Sequence, residues 1–426
     1  MTLNRNIAPD FKGIDNIALI HPEHIKLDNG CNIFVFNSGD QELMRIEWIF
    51  GNLRFDQAKP LLNVAVNTML TEGTSTRSAS EIADQVDFYG GFLQVEYGYD
   101  NSEVVLYTLN KHLTKTLPVM KDIISDSIFP KQELETFIRN QQQKLQVSLQ
   151  KNDVLARRQF NKAIYGDTIY GLGANFDDYK TLHRDDMLEH FRQMYQPSNC
   201  TILIAGKVDA DALELIKTSF GNEWANYSVK ADIAQSELKP AGEHFYFVEK
   251  PEALQSAIRM GLPMINRKHP DFPALQVLNT VLGGYFGSRL MANIREDKGY
   301  TYGIGSGISS LNKGGAMFVA TEVGADVCRD AVSEIEKEIN LLKTELISDE
   351  ELSLVQNYMM GSLLGSLENV MSHADKFKNL YFSGLGYEYY DRYTEVVKTI
   401  TAPKLLDLAN KYLDLDKFYR VIVGKY

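Results

Sequence analysis

Two short runs, LIAGK at residues 203–207 and VIVGK at residues 421–425, decide how this chain is organised. They lie 218 residues apart, and the same offset relates Glu133-Leu134 to Glu351-Leu352 and Leu149 to Leu367. An offset that holds from one end of a long segment to the other marks an internal repeat rather than chance. The chain therefore reads as two copies of one unit that mixes strands and helices. The expected class is α+β: two homologous units, each an antiparallel-rich sheet flanked by helices, facing each other across a cleft. That cleft is the default place for a ligand.

Around the first run, strands are expected at IDNIALI (14–20), at NIFVFNS (32–38) after the Asp28-Asn29-Gly30 turn, and at LMRIEWIF (43–50), whose alternation shows at Arg45, Glu47 and Phe50. Pro60 opens a helix through Val64, Met69 and Leu70 that ends near Gly73, and a second starts at Ser78 or Ser80. GFLQVEYGY (91–99) and EVVLYTL (103–109) are further strands. Helices follow at about 113–127 and at 131–164, the latter free of Gly and Pro, with a stripe at Leu134, Ile138, Leu145 and Leu149. NCTILIAG (199–206) closes the copy.

Residues 224–241 lose apolar periodicity as the chain runs into Pro240-Ala241-Gly242, so a linker is expected there, between units at 1–223 and 242–426. The order then recurs. Strands fall at HFYFV (244–248) and SAIRMGL (256–262), a helix at 270–282, and strands up to Val323. Helices at 325–343, 348–380 and 403–413 lead into the terminal strand YRVIVGK.

A chain of 426 residues exceeds one hydrophobic core. Its net charge of −12, without a Lys/Arg run, argues against nucleic acid and anionic membrane as partners. No apolar run approaches the roughly 20 residues of a membrane span, and MTLNRNIAPDFKGIDN lacks the apolar core of a secretory signal. Cys31, Cys200 and Cys328 are odd in number and far apart, which suits free buried thiols in a reducing compartment. The expected location is cytoplasmic, or periplasmic if a leader was trimmed. GIGSG (303–307) lacks the strand, the helix and the Gly-Lys-Ser/Thr of a phosphate loop. His21, His24 and His190 have no spacing that would hold a metal, and read as loop, strand-edge and surface histidines.

The chemistry sits in VLGGYFGSRLMANIREDKGYTY (281–302). Gly283, Gly284 and Gly287 predict a loop with free φ. Ser288 is a good N-cap for a helix carrying Leu290, Met291 and Ile294, and Gly299 closes it. A strand follows from Tyr300. Arg295 and Tyr302 are separated by one helix end and one turn, so a guanidinium and a phenol can converge on a carbonyl or oxyanion.

With these stretches together, the chain resembles the pitrilysin/insulinase-type metallopeptidases, the inverzincins, over nearly its whole length. The motifs that carry the likeness are MLTEGTSTRSASEIADQVDFYGG (69–91), IYGDTIYG (164–171) with YQPSNCTILIAG (195–206), and GSRLMANIREDKGYTYGIGS (287–306). Catalytic members place His-x-x-Glu-His on the helix just before the Met-Leu-x-x-Gly-Thr element. Here those positions hold Val64, Asn67 and Thr68, and the family's third ligand falls near Leu145. Valine and leucine have no lone pair for zinc, hydroxyl and amide are poor ligands, and an amide takes up no proton as a base. No metal site is therefore expected in this chain.

The resemblance implies that Arg295 and Tyr302, seven residues apart, hold the substrate and its tetrahedral intermediate. It also implies that Gly283, Gly284, Gly287 and Ser288 line the substrate chamber. In two-chain members, one chain carries zinc and its sister does not. This sequence looks like the sister, with zinc in a paralogous peptidase subunit as its partner and a peptide as substrate. Two alternatives follow from the same likeness: a structural subunit of the processing-peptidase and core-protein group, and a peptide-binding homodimer.

Overall fold

The computed structural model describes residues 14, 17–221, 224 and 238–426, and these contain two sheets. The first is built from Glu23–Lys26 (β1), Asn32–Asn37 (β2), Leu43–Gly51 (β3), Phe92–Tyr97 (β4), Asn101–Leu109 (β5) and Cys200–Gly206 (β6), in the order β1-β2-β6-β3-β5-β4. The second uses Phe245–Glu249 (β7), Gln255–Met264 (β8), Thr301–Leu311 (β9), Gly314–Gly324 (β10) and Tyr419–Gly424 (β11), in the order β7-β11-β8-β10-β9. One pair in each sheet is parallel, β2 with β6 and β7 with β11; every other pair is antiparallel. The two repeated runs are thus the inserted strands β6 and β11. Each ends in a glycine held at φ +139° (Gly206) or +137° (Gly424), where a side chain would be strained.

The first half carries helices Leu62–Thr68 (α1), Ala79–Phe88 (α2), Leu113–Asp126 (α3), Lys131–Ser148 (α4), Asn152–Tyr165 (α5), Arg184–Met194 (α6) and Ala210–Gly221 (α7). The second carries Phe272–Asn279 (α8), Cys328–Thr344 (α9), Asp349–Gly365 (α10), Val370–Tyr381 (α11), Glu388–Thr399 (α12) and Ala402–Tyr412 (α13). Strand β6 is buried at every residue, so both of its faces are covered. Ile202 and Ile204, with Met44, Ile46 and Trp48 of β3, face the half's own helices. Leu203 and Ala205, with Phe34, Phe36 and Ile49, meet Val370, Met371, Ala374 and Phe377 of α11, a helix of the other half. The converse holds for the second sheet: Ala257, Val421 and Val423 pack on Ala156, Phe160, Ala163 and Ile164 of α5. The two halves exchange equivalent helices, α5 and α11, which begin 218 residues apart.

The seam under α11 is ionic. Arg45 and Glu47 of β3 lie on that face and are buried. Glu47 sits 2.6 Å from both Arg45 and Lys378; Arg45 also reaches Asp375 at 2.7 Å, and Lys378 reaches Glu103 at 2.8 Å. Burial is the largest influence on Glu47 and raises its pKa, against the pull of Arg45 and Lys378. Burial also works against the Lys378 ammonium, but Glu47 and Glu103 overcome it and hold its pKa above the ordinary lysine value. Under α5 the register position of Glu47 is taken by Arg259, whose guanidinium lies 5.3 Å from the Phe160 ring centre and 4.3 Å from that of Phe318. Two cavities of about 720 and 690 Å³ open along the seam, one between residues 38–43 and 367–373, the other between residues 150–153 and 249–255.

Several expectations change. The described residues of 14–20 form no strand; Ile20 accepts from the Tyr387 hydroxyl (2.9 Å), and its N–H donates to His373 Nδ1 (3.2 Å), both groups of the second half. The helices expected at 131–164 and 348–380 are each two helices, broken at 149–151 and 366–369, because the chain leaves its own core there to reach the other sheet. Arg45 and Glu47 do alternate, but Phe50 points to the opposite face, into the half's own core. His190 is buried rather than superficial, and burial, with Arg54 nearby, lowers its pKa to about 4. Of the expected linker, Trp224 is buried in the first core and Leu238 and Ala241 pack against the α5 cluster, while 225–237 lie outside the described residues.

Candidate functional site

Helix α8 does not end at a glycine loop. It widens into a π-helical turn, Thr280–Gly284, so Gly283 and Gly284 are helical and only Gly287 lies in a turn. A Cβ on Gly283 would sit 2.7 Å from the backbone nitrogen of Ser306, so the missing side chain lets this turn lie flat on β9. Gly283 and Ser288 are buried; Gly284 and Gly287 are exposed. Ser288 precedes the next helical turn as expected, but its Oγ forms no hydrogen bond among the described residues and does not cap it. That turn is again π-helical, Met291–Asp297, and wide turns of this kind recur at functional sites. Leu290, Met291 and Ile294 anchor it in the second core, and Gly299, at φ +66°, closes it as expected.

Side chains brace this element from two sides. Arg289 makes a two-pronged pair with Glu351 of α10, both contacts at 2.8 Å. Asn293 donates to Glu334 (2.9 Å) and Glu338 (2.7 Å) of α9. On this base Arg295 Nε donates to the backbone oxygen of Tyr302 at 3.1 Å, and the guanidinium lies 4.8 Å from the centre of the Phe286 ring. Arg295 and Tyr302 are therefore brought together, though through the tyrosine's backbone. The Tyr302 side chain itself is 93% exposed, and Phe286 is 66% exposed. Phe286, Arg289 and Asn293 carry no sequence signal of these roles, because a ring's position over a guanidinium and a clasp between distant helices are tertiary facts.

In the first half, the positions aligned with the zinc motif have become packing. Val64 lies against the first core, and Leu145 is buried in it. Asn67 is buried, and its amide donates to the backbone oxygen of Glu103 at 3.4 Å. Beside it, burial pushes the Tyr195 phenol up to about 12. Valine and leucine cannot ligate, and the one amide is turned to a main-chain oxygen, so these residues do not fit zinc. No group of three or more His, Cys, Asp or Glu placed to hold a metal ion occurs among the described residues.

This two-unit α+β architecture is the fold of the peptidase M16 group. Two family models match it: insulinase (peptidase family M16) over residues 65–173, and the peptidase M16 inactive domain over residues 181–359. The chain belongs to the M16 peptidase family. It is 28% identical over 310 residues to YmxG of Bacillus subtilis, an uncharacterised zinc protease, covering 71% of this chain and 74% of that one. An uncharacterised zinc protease of Rickettsia felis is 25% identical over 399 residues, 91% and 93% of the two chains. Among solved structures, a peptidase M16 inactive domain from Pseudomonas fluorescens superposes with a TM-score of 0.83 at 19% identity, covering 95% of this chain and 98% of that one. No helix among the described residues is long and apolar enough to cross a membrane.

Proposed function

We propose that this chain is the zinc-free subunit of a two-chain M16 peptidase, acting in the cytoplasm beside a zinc-bearing paralogue. The partner would supply His-x-x-Glu-His to hold zinc, and the chemistry that metal would bring is Lewis-acid polarisation of a carbonyl and activation of water. This chain supplies Arg295 and Tyr302: the Tyr302 hydroxyl donates to the developing oxyanion, and the outer N–H groups of Arg295 hold the substrate carbonyl. Gly284 and Gly287 offer backbone without side-chain bulk to the passing peptide, with Gly283 and Ser288 seating that segment from below.

The observation that carries this reading is the exposure of Tyr302. A tyrosine ring kept only for packing would be buried, yet this one stands 93% in water beside an exposed Phe286 and a guanidinium fixed on the braced turn. A partner surface accounts for that arrangement.

The test is co-purification with a zinc-bearing relative from the same genome, followed by peptide turnover with the wild type and Tyr302→Phe. Assembly by size exclusion should be unchanged, and turnover should fall on the order of 10²–10³-fold. Unchanged turnover would remove the catalytic assignment. A stable homodimer indifferent to the relative would favour the peptide-binding module, and a complex that cleaves nothing the structural subunit. Metal analysis of the pair should find zinc in the partner's stoichiometry alone.

A further inference from the structure

A cavity of about 430 Å³ opens in the second half between α8, α10, α11 and α12, a size that suits a small ligand. Its lining includes two cationic side chains, Arg267 and Lys376, with Asn279, Thr280, Ser362 and Tyr390, and no carboxylate. Arg267 donates to the backbone oxygen of Asn379 (3.1 Å) and to Ser310 Oγ (3.4 Å), and Lys376 makes no hydrogen bond or ion pair among the described residues. Burial lowers the Lys376 pKa, and the carboxylate acting on it, Asp375, is already held by Arg45. Half-buried cations without counter-ions are costly unless an anion joins them. The same cavity holds an unmet acceptor: Asn279 Oδ1 is buried without a hydrogen-bond partner. Gly284 lies beside it, where a Cβ would stand 3.1 Å from Asn279 Nδ2 and narrow the cavity.

We infer that this cavity binds the free C-terminal carboxylate of a peptide. A peptide terminus carries a carboxylate and, on the same residue, an N–H donor; the first suits Arg267 and Lys376, and the second suits Asn279 Oδ1. Inorganic phosphate would satisfy the cations and bring no matching amide. The cavity reaches the candidate site through Gly284 and through Tyr358, whose ring lies 4.9 Å from that of Tyr285, next to Phe286. The terminus of a bound chain would then lie one short stretch away from Arg295 and Tyr302. This assignment concerns the chain alone and stands or falls without the zinc-bearing partner.

The experiment titrates the isolated full chain with a short fluorescein-labelled neutral peptide, made once with a free C-terminal carboxylate and once as the carboxamide. The acid should bind at least about tenfold tighter than the amide, the scale of a hydrogen bond to a charged group. Lys376→Gln and Arg267→Gln should each weaken the acid about tenfold and leave the amide unchanged, while Lys376→Arg should keep most of the acid's affinity. Equal affinity for the two forms, or no binding of either at about 1 mM, would overturn the inference. So would an amidated peptide with an internal Glu that binds as well as the acid, or inorganic phosphate that binds more tightly than the acid peptide does.

Discussion

Replacing Lys378 by Met removes one of the two cations that hold Glu47 beneath α11. Glu47 is 2% exposed and 2.6 Å from each of Arg45 and Lys378, and Arg45 is already shared with Asp375. Breaking a buried pair from one side costs about 3–5 kcal/mol, because the remaining charge is left uncompensated. The retained Arg45 contact places this case at the lower end, about 3 kcal/mol. With an unfolding entropy of roughly 2.1 cal/mol/K per residue over 426 residues, that loss lowers Tm by about 3 °C. Calorimetry at pH 7.5 should show it. The sign of the pH dependence follows from Glu47, whose pKa burial raises above the ordinary carboxylate value. A group raised in this way contributes stability that is complete below its unfolded value and lost as the pH climbs through the folded one. Without Lys378 the carboxyl is raised further, so the gap between variant and wild type should narrow towards pH 5 as Glu47 takes up a proton. Glu47→Gln added to Lys378→Met should recover much of the loss. A gap of the same size at pH 5 and pH 7.5, or a double variant no better than the single, would refute the argument.

Gly206→Ala and Gly424→Ala should each destabilise by more than about 2 kcal/mol in urea unfolding, since both residues sit at positive φ and an added Cβ would press on Leu43 in one case and Ser256 in the other. Equal losses at the two sites would also measure how alike the two halves are. Asn369→Ala removes the side-chain acceptor for the Ser372 N–H (3.0 Å) at the start of α11, and should lower the urea midpoint by an amount equivalent to about 1 kcal/mol. Cys31, Cys200 and Cys328 are buried, and burial raises the thiol pKa of Cys200 and of Cys328. A thiol reagent should therefore find no reactive group in the native protein and three after denaturation, and one fast-reacting native thiol would contradict this packing.

The repeat was legible because β6 and β11 are buried on both faces, and such strands spell continuous apolar runs that survive as near-identical words. The Gly299 closure and a helix start at Ser78 or Ser80 were legible for a local reason, since caps depend on residues within one turn; the structure selects Ser78, which forms a capping box with Glu81. What stayed hidden was tertiary. No Gly or Pro in 131–165 marks a helix end, and the break at 149–151 falls where the chain crosses to cover the other sheet. The polar pair Arg45 and Glu47 looks the same in sequence whether water or a second-half helix lies over it. Helices α6, α7 and α12 were not singled out from sequence at all. At the candidate site the spacing of Arg295 and Tyr302 was readable, whereas the Phe286 ring, the Arg289–Glu351 clasp and the π-helical turns were not.

The exchange of α5 and α11 also sets an order of events during synthesis. The first sheet has all its strands once residue 206 has been made, yet the helix that shields Phe34, Phe36 and Leu203 begins 164 residues later, at Val370. At roughly 5–20 residues per second, the ribosome leaves that apolar face bare for about 8–30 s. A nascent chain in this interval offers a holdase chaperone a defined landing place. For the same reason, a fragment ending near the middle of the chain should be insoluble by itself and rescued when the missing half is expressed in the same cell.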